Sequence, residues 1–74
     1  MTEQEKMQKC GDLAALLRMG IRHGDTMHPD WELIFDLEAW ARGCPEQVFL
    51  RDHGIDWYIS YTEGMIMRRN GALE

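Results

Sequence analysis

A chain of 74 residues can bury one hydrophobic core and no more. Dividing it would leave each half too little apolar surface to offset the entropy of ordering its backbone. A single small domain over residues 1–74 is the expectation. Domains near this size bury roughly 60 % of the surface their unfolded chains expose, so self-association or a partner would add stability. Apolar residues make up 45 % of the chain and charged residues 28 %, the balance of a folded domain rather than a disordered tail.

The longest apolar stretch, Leu13 to Leu17, falls far short of the roughly 20 residues that a membrane-spanning helix needs. Met1 to Lys6 is polar and lacks the basic and apolar pattern of a secretory leader. Cys10 and Cys44 are few for a small secreted domain, and both fall in helical apolar patterns. Buried free thiols in a reducing cytoplasm are therefore expected.

Thr2 and Glu5 have the spacing of a capping box, and Met7, Cys10, Leu13, Ala14 and Leu17 recur at three- and four-residue intervals. This predicts an amphipathic helix over about residues 3–19, weakened by Gly11 and ended by Gly20 or Gly24. After a loop, Pro29 with Asp30 and Glu32 suits the first turn of a second helix, about 29–43. Leu33, Ile34, Leu37, Trp40, Ala41 and Cys44 form one stripe of that helix, while Trp31 and Phe35 fall near its opposite side. Either the helix is sandwiched, as the large share of aromatics in small cores favours, or Trp31 and Phe35 face a partner. Gly43 closes it, and Pro45 begins a segment over 45–53 that reads as a short helix, with a strand as the alternative.

Ile55, Trp57, Ile59 and Tyr61 alternate with Asp56, Tyr58, Ser60 and Thr62, the period of a half-buried strand. Thr62-Glu63-Gly64 then completes a hairpin over about 55–69, with Gly64 in the left-handed position, Tyr61 facing Met65 and Ile59 facing Met67. The tail over 70–74 reads as frayed. The expected fold is α+β: two to three helices followed by a C-terminal β-hairpin.

The formal charge of −5 is unevenly spread. Between residues 25 and 63, nine acids face only Arg42 and Arg51. Such a field repels phosphate backbones and attracts basic protein surfaces, which disfavours direct nucleic-acid binding.

Three constellations invite chemistry. Cys10-x12-His23-x4-His28 has the spacing of the second half of a zinc finger, with Cys44 as a fourth ligand, but the leading cysteine pair and preceding hairpin are missing. Cys44 with His53 and Asp52 or Asp56 has the residue types of a thiolate nucleophile, its base and an orienting carboxylate. No oxyanion loop accompanies them. Helices followed by a hairpin also match the order of a winged-helix DNA reader, whose contacts would fall on Arg68 and Arg69 and which would act as a dimer. Metal, cofactor and catalytic activity are not expected.

The remaining features favour binding. Met19, Met27, Met65 and Met67 exceed what one small core hides, and methionine with tryptophan and arginine is a composition of protein-binding surfaces. The sequence therefore predicts a non-enzymatic inhibitor or adaptor. Asp30, Glu32, Asp36, Glu38 and Asp56 would dock on a basic surface of a protein complex, with Trp31 and Phe35 as anchors. In size, acidity and lack of motifs the chain resembles the small inhibitors encoded by phages and other mobile elements, anti-CRISPR proteins among them. That resemblance of kind covers no aligned stretch. It implies occlusion or mimicry of nucleic acid on a basic site. A homodimer is a further alternative, since an unpaired hairpin edge favours association.

Overall fold

The computed structural model describes residues 1–71. Helices α1 (Glu3–Met19), α2 (Asp30–Ala41) and α3 (Ile55–Gly71) are joined by loops, the second of which holds a 3-10 turn, Pro45–Gln47. Among the described residues there is no strand, so the fold is all-α and the expected C-terminal hairpin is replaced by a helix.

The capping box at the start of α1 forms in both directions. Thr2 Oγ1 accepts from the Glu5 amide at 3.1 Å, and Glu5 Oε1 accepts from the Thr2 amide at 3.0 Å. Two donors that the helix itself cannot satisfy thereby gain partners. Cys10, Leu13, Ala14 and Leu17 line the buried face of α1. α2 runs antiparallel to it, bringing Gly43 beside Met7 at one end and Trp31 beside Arg18 at the other. Gly43 ends α2 with φ at +73°. Its amide reaches the Trp40 carbonyl at 3.1 Å and that of Cys44 reaches Ala39 at 2.9 Å, a left-handed cap that glycine adopts without strain.

The segment 45–53 makes no α-helix. Val48 turns into the core, while Phe49 and Leu50 turn outward. Their amides donate to Asp36 at 2.9 and 3.5 Å, so the donors that a helix would consume are spent on a side chain of α2.

α3 shows why the hairpin pattern misled. Ile55, Trp57, Ile59 and Tyr61 alternate, yet Ile55, Tyr58, Ile59, Thr62, Met65 and Ile66 also recur at helical intervals. Tyr58, Ile59 and Thr62 are the buried residues of the helix. Only the helical register buries Tyr58, which the strand reading turned outward, and a lone two-stranded hairpin is marginal in water. Asp56 in the first turn and Arg68 and Arg69 in the last suit the helix dipole. The helix runs through Gly64 and on through Asn70 and Gly71, so the frayed-tail expectation is corrected there; residues 72–74 lie outside the described part. α3 runs parallel to α1, with Lys6 reaching Asp56 at 3.1 Å and Lys9 reaching Glu63 at 2.9 Å. One cluster built from all three helices and Val48 forms the core.

Candidate functional site

The acidic residues expected to face a partner are mostly engaged within the chain. Asp30 is buried and takes a forked contact from Arg69, at 2.8 and 3.1 Å. The hydrogen bonds from that guanidinium hold its carboxyl below the usual carboxylate value. Arg18 Nη2 reaches both carboxylate oxygens of Glu38, at 2.8 and 2.9 Å. Asp56 is exposed and paired with Lys6. Asp36 is only 2 % exposed; besides the two loop amides, it accepts from the Tyr58 hydroxyl at 2.7 Å. That hydroxyl also donates toward the Leu50 carbonyl at 3.1 Å. Burial, followed by the hydrogen bond to Asp36, pushes the Tyr58 phenol up. Glu32 alone of these five acids is exposed without an ion pair among the described residues. The common outward carboxylate face is therefore not formed.

Trp31 and Phe35 stack with ring centroids 5.7 Å apart. Trp31 is partly buried, with its indole N–H donating to the Asp25 carbonyl at 2.7 Å and the Arg18 guanidinium 5.2 Å from its ring centroid. Phe35 is half exposed, which corrects the sandwiched reading for that ring. The pair is a second, smaller apolar spot beside Thr26.

The residues that invited chemistry are dispersed. Cys10 is fully buried in the core, and burial pushes its thiol up to about 11. Cys44 follows the last turn of α2 whereas His28 precedes its first, so the length of a helix, about 18 Å, separates these two. No group of three or more His, Cys, Asp or Glu side chains gathers to hold a metal among the described residues. The Cys44 sulfur lies toward the Arg42 carbonyl at 3.9 Å, while His53 stacks on Trp57. The wing expected to carry Arg68 and Arg69 does not exist, and Arg69 is tied to Asp30.

One concave feature was missed by the sequence reading. α2 and α3 each pack on α1, and between them lies a groove of about 360 Å³. Its walls are Leu33 on α2 and Trp57, Tyr61 and Met65 on α3, with Phe49 and Leu50 contributed by the loop. Phe49 is 77 % exposed, Leu50 55 % and Tyr61 44 %. His53, Trp57 and Tyr61, spaced by four residues, stack as a ladder with centroid separations of 3.8 and 4.8 Å. Trp57 is thereby held between His53 and Tyr61 at the groove wall. Glu32 and the buried Asp36 border the same space. The four-residue recurrence of His53, Trp57, Tyr61 and Met65 was the signal for this face, hidden because the strand reading mixed Ile55 and Ile59 into it and made it the side that packs on the helices.

Comparison of the chain with family models, with curated proteins and with solved structures gives no match. No helix among the described residues is long and apolar enough to cross a membrane.

Proposed function

We propose that this chain is a non-enzymatic protein-binding module, an inhibitor or adaptor, that seats an apolar segment of its partner in the groove between α2 and α3. The observation that carries this reading is the exposure of Phe49, Leu50 and Tyr61 around a groove whose walls are fixed by packing and hydrogen bonds. Apolar surface held open to water is costly to keep, and preorganised aromatic anchors are where binding energy concentrates. Recognition then relies on the groove more than on a carboxylate array, since Asp30, Glu38 and Asp56 already have intramolecular cations. Mimicry of nucleic acid by a continuous acidic face loses its support. Covering a partner's surface, the mode implied by the resemblance to phage-encoded inhibitors, keeps it. The free thiols Cys10 and Cys44 fit a reducing cytoplasm.

A second reading places the contact on Trp31 and Phe35, because Phe35 is half exposed. Site-specific photo-crosslinking in the native host separates the two. A crosslinker at Phe49 or Tyr61 is expected to trap the same protein, with none trapped from the exposed Ala15 on α1. Trapping from Phe35 alone moves the contact to the second site, and trapping equally from Ala15 overturns the groove. As a companion measurement, Phe49→Asp and Tyr61→Asp are each expected to weaken capture of that protein at least tenfold.

A further inference from the structure

Resting on that reading of the groove, we infer that its occupant is a short amphipathic helix of a partner protein that carries a lysine or arginine beside its apolar anchors. The charge requirement comes from two carboxylates. Asp36 is buried at the groove border and is held by neutral donors alone, the amides of Phe49 and Leu50 and the hydroxyl of Tyr58. Glu32 on the same wall is exposed, and no cation of the described residues lies within ion-pair distance of it.

No lysine or arginine lines the groove among the described residues, and Arg51, next to Leu50 in the loop, donates to the Glu46 carbonyl at 3.0 Å. Arg69 is forked onto Asp30, Arg18 is on Glu38, and Arg68 lies over Gly64 rather than in the groove. Apolar walls of low polarisability strengthen the negative field of such a space, so a cationic guest gains and an anionic guest loses.

The helical shape follows from the walls. No strand edge exists among the described residues for an extended peptide to pair with. From Trp57 to Met65 the α3 wall runs for about 12 Å, two helical turns, room for apolar anchors at positions i and i+4 of a guest helix.

The probe is a pair of synthetic amphipathic helical peptides with leucines at i and i+4, one flanked by lysines and the other by glutamates. The readout is the three indole N–H resonances of the full chain: Trp57 reports the groove, Trp31 the second apolar spot and Trp40 the interior. The lysine peptide is expected to shift the Trp57 signal and to bind at least tenfold more tightly than the glutamate peptide. Glu32→Gln should shrink that preference several-fold, while Asp12→Asn on α1, which changes net charge equally, leaves it unchanged.

Equal affinities with Trp57 still responding overturn the basic guest but leave the apolar groove standing. A Trp57 signal that never moves, or a response at Trp31 alone, overturns both. A Trp57 signal that depends on protein concentration without any peptide, together with dimers in sedimentation, identifies a second copy as the occupant and also overturns the inference.

Discussion

The two seams that α2 makes with its neighbours are built on opposite principles. Toward α1 the contact is mainly apolar: Cys10, Leu13, Ala14 and Leu17 meet Ile34 and Leu37 in the core, Gly11 lies opposite Ala41, and Arg18 on Glu38 adds one polar tie at the rim. Toward α3 the helices are held by polar ties, Asp30 to Arg69 near one end and Asp36 to Tyr58 farther along, with the groove between them. Apolar packing is non-directional and tends to close gaps, whereas a hydrogen bond holds its two partners within a narrow range of length and angle. The ties therefore act as struts, setting how far α3 can collapse onto α2 and keeping the groove from filling.

The sharpest way to break this contrast is to remove the strut that serves most partners. Asp36→Ala leaves the amides of Phe49 and Leu50 without their acceptor and the Tyr58 hydroxyl with the Leu50 carbonyl alone. Buried donors left unsatisfied cost about 1–3 kcal/mol each, so a loss of roughly 3 kcal/mol or more is expected in urea denaturation. Tyr58→Phe removes one donor only and should cost about 1 kcal/mol. Equal, small losses for both variants would show that Asp36 is not the node. In a chain this small the first variant endangers the fold itself, and Asp36→Asn, which keeps one acceptor oxygen, is the milder comparison.

Alkaline pH tests both seams at once. Burial pushes the Cys10 thiol in the apolar seam up to about 11, and the Tyr58 phenol in the polar seam is raised as well. A group whose value is higher when folded gives stability that is complete below its unfolded value and is lost as pH rises toward the folded one. For Cys10 the window opens near 9.0, the ordinary thiol value, and Tyr58 extends it upward. The urea midpoint is expected to fall as pH rises from about 9 to about 11, less steeply in Cys10→Ala. A flat midpoint across that range would show that neither group is buried as described.

Much of the apolar seam was legible in the chain. The capping box and the recurrence from Met7 to Leu17 lead to α1, and the stop at Gly43 follows from its need for positive φ. The polar seam was not legible, for reasons of geometry. On a wheel of about 100° per residue, Asp30 falls inside the stripe of Leu33, Ile34 and Leu37, and Asp36 borders it. Those positions signal buried, paired acids, but their partners lie 22 residues away at Tyr58 and 39 away at Arg69. Local periodicity carries no information at that range. The misread α3 compounded this, since the strand reading put Ile59 on the same face as Trp57 and Tyr61, whereas the helix turns Ile59 into the core and leaves Trp57, Tyr61 and Met65 on the groove.

The second strut should be weaker and more dependent on pH. Arg69 is half exposed, so Arg69→Gln is expected to cost about 1 kcal/mol near neutrality. The guanidinium lowers the Asp30 value, so its contribution is present above the ordinary aspartate value and lost as pH falls through the folded one. The gap between wild type and variant should therefore close below about pH 4. A gap that persists into acid would assign the loss to packing of the arginine stem instead of to the ion pair.

The smallest effect has the opposite sign and tests the apolar seam. Gly11 sits inside α1, and a Cβ built there would meet the Ala41 Cβ at 3.6 Å, an ordinary contact. Alanine favours a helix interior over glycine by about 0.8–1 kcal/mol, partly because the unfolded chain loses freedom. Gly11→Ala should thus stabilise the fold by up to about 1 kcal/mol and leave the groove resonance of Trp57 where it was. Destabilisation would mean that the α1 and α2 backbones are already as close as glycine permits. A moved Trp57 signal would mean that the two seams are mechanically coupled, so that spreading α1 from α2 also resets the gap between α2 and α3, and the struts would then not be what fixes the width of the groove.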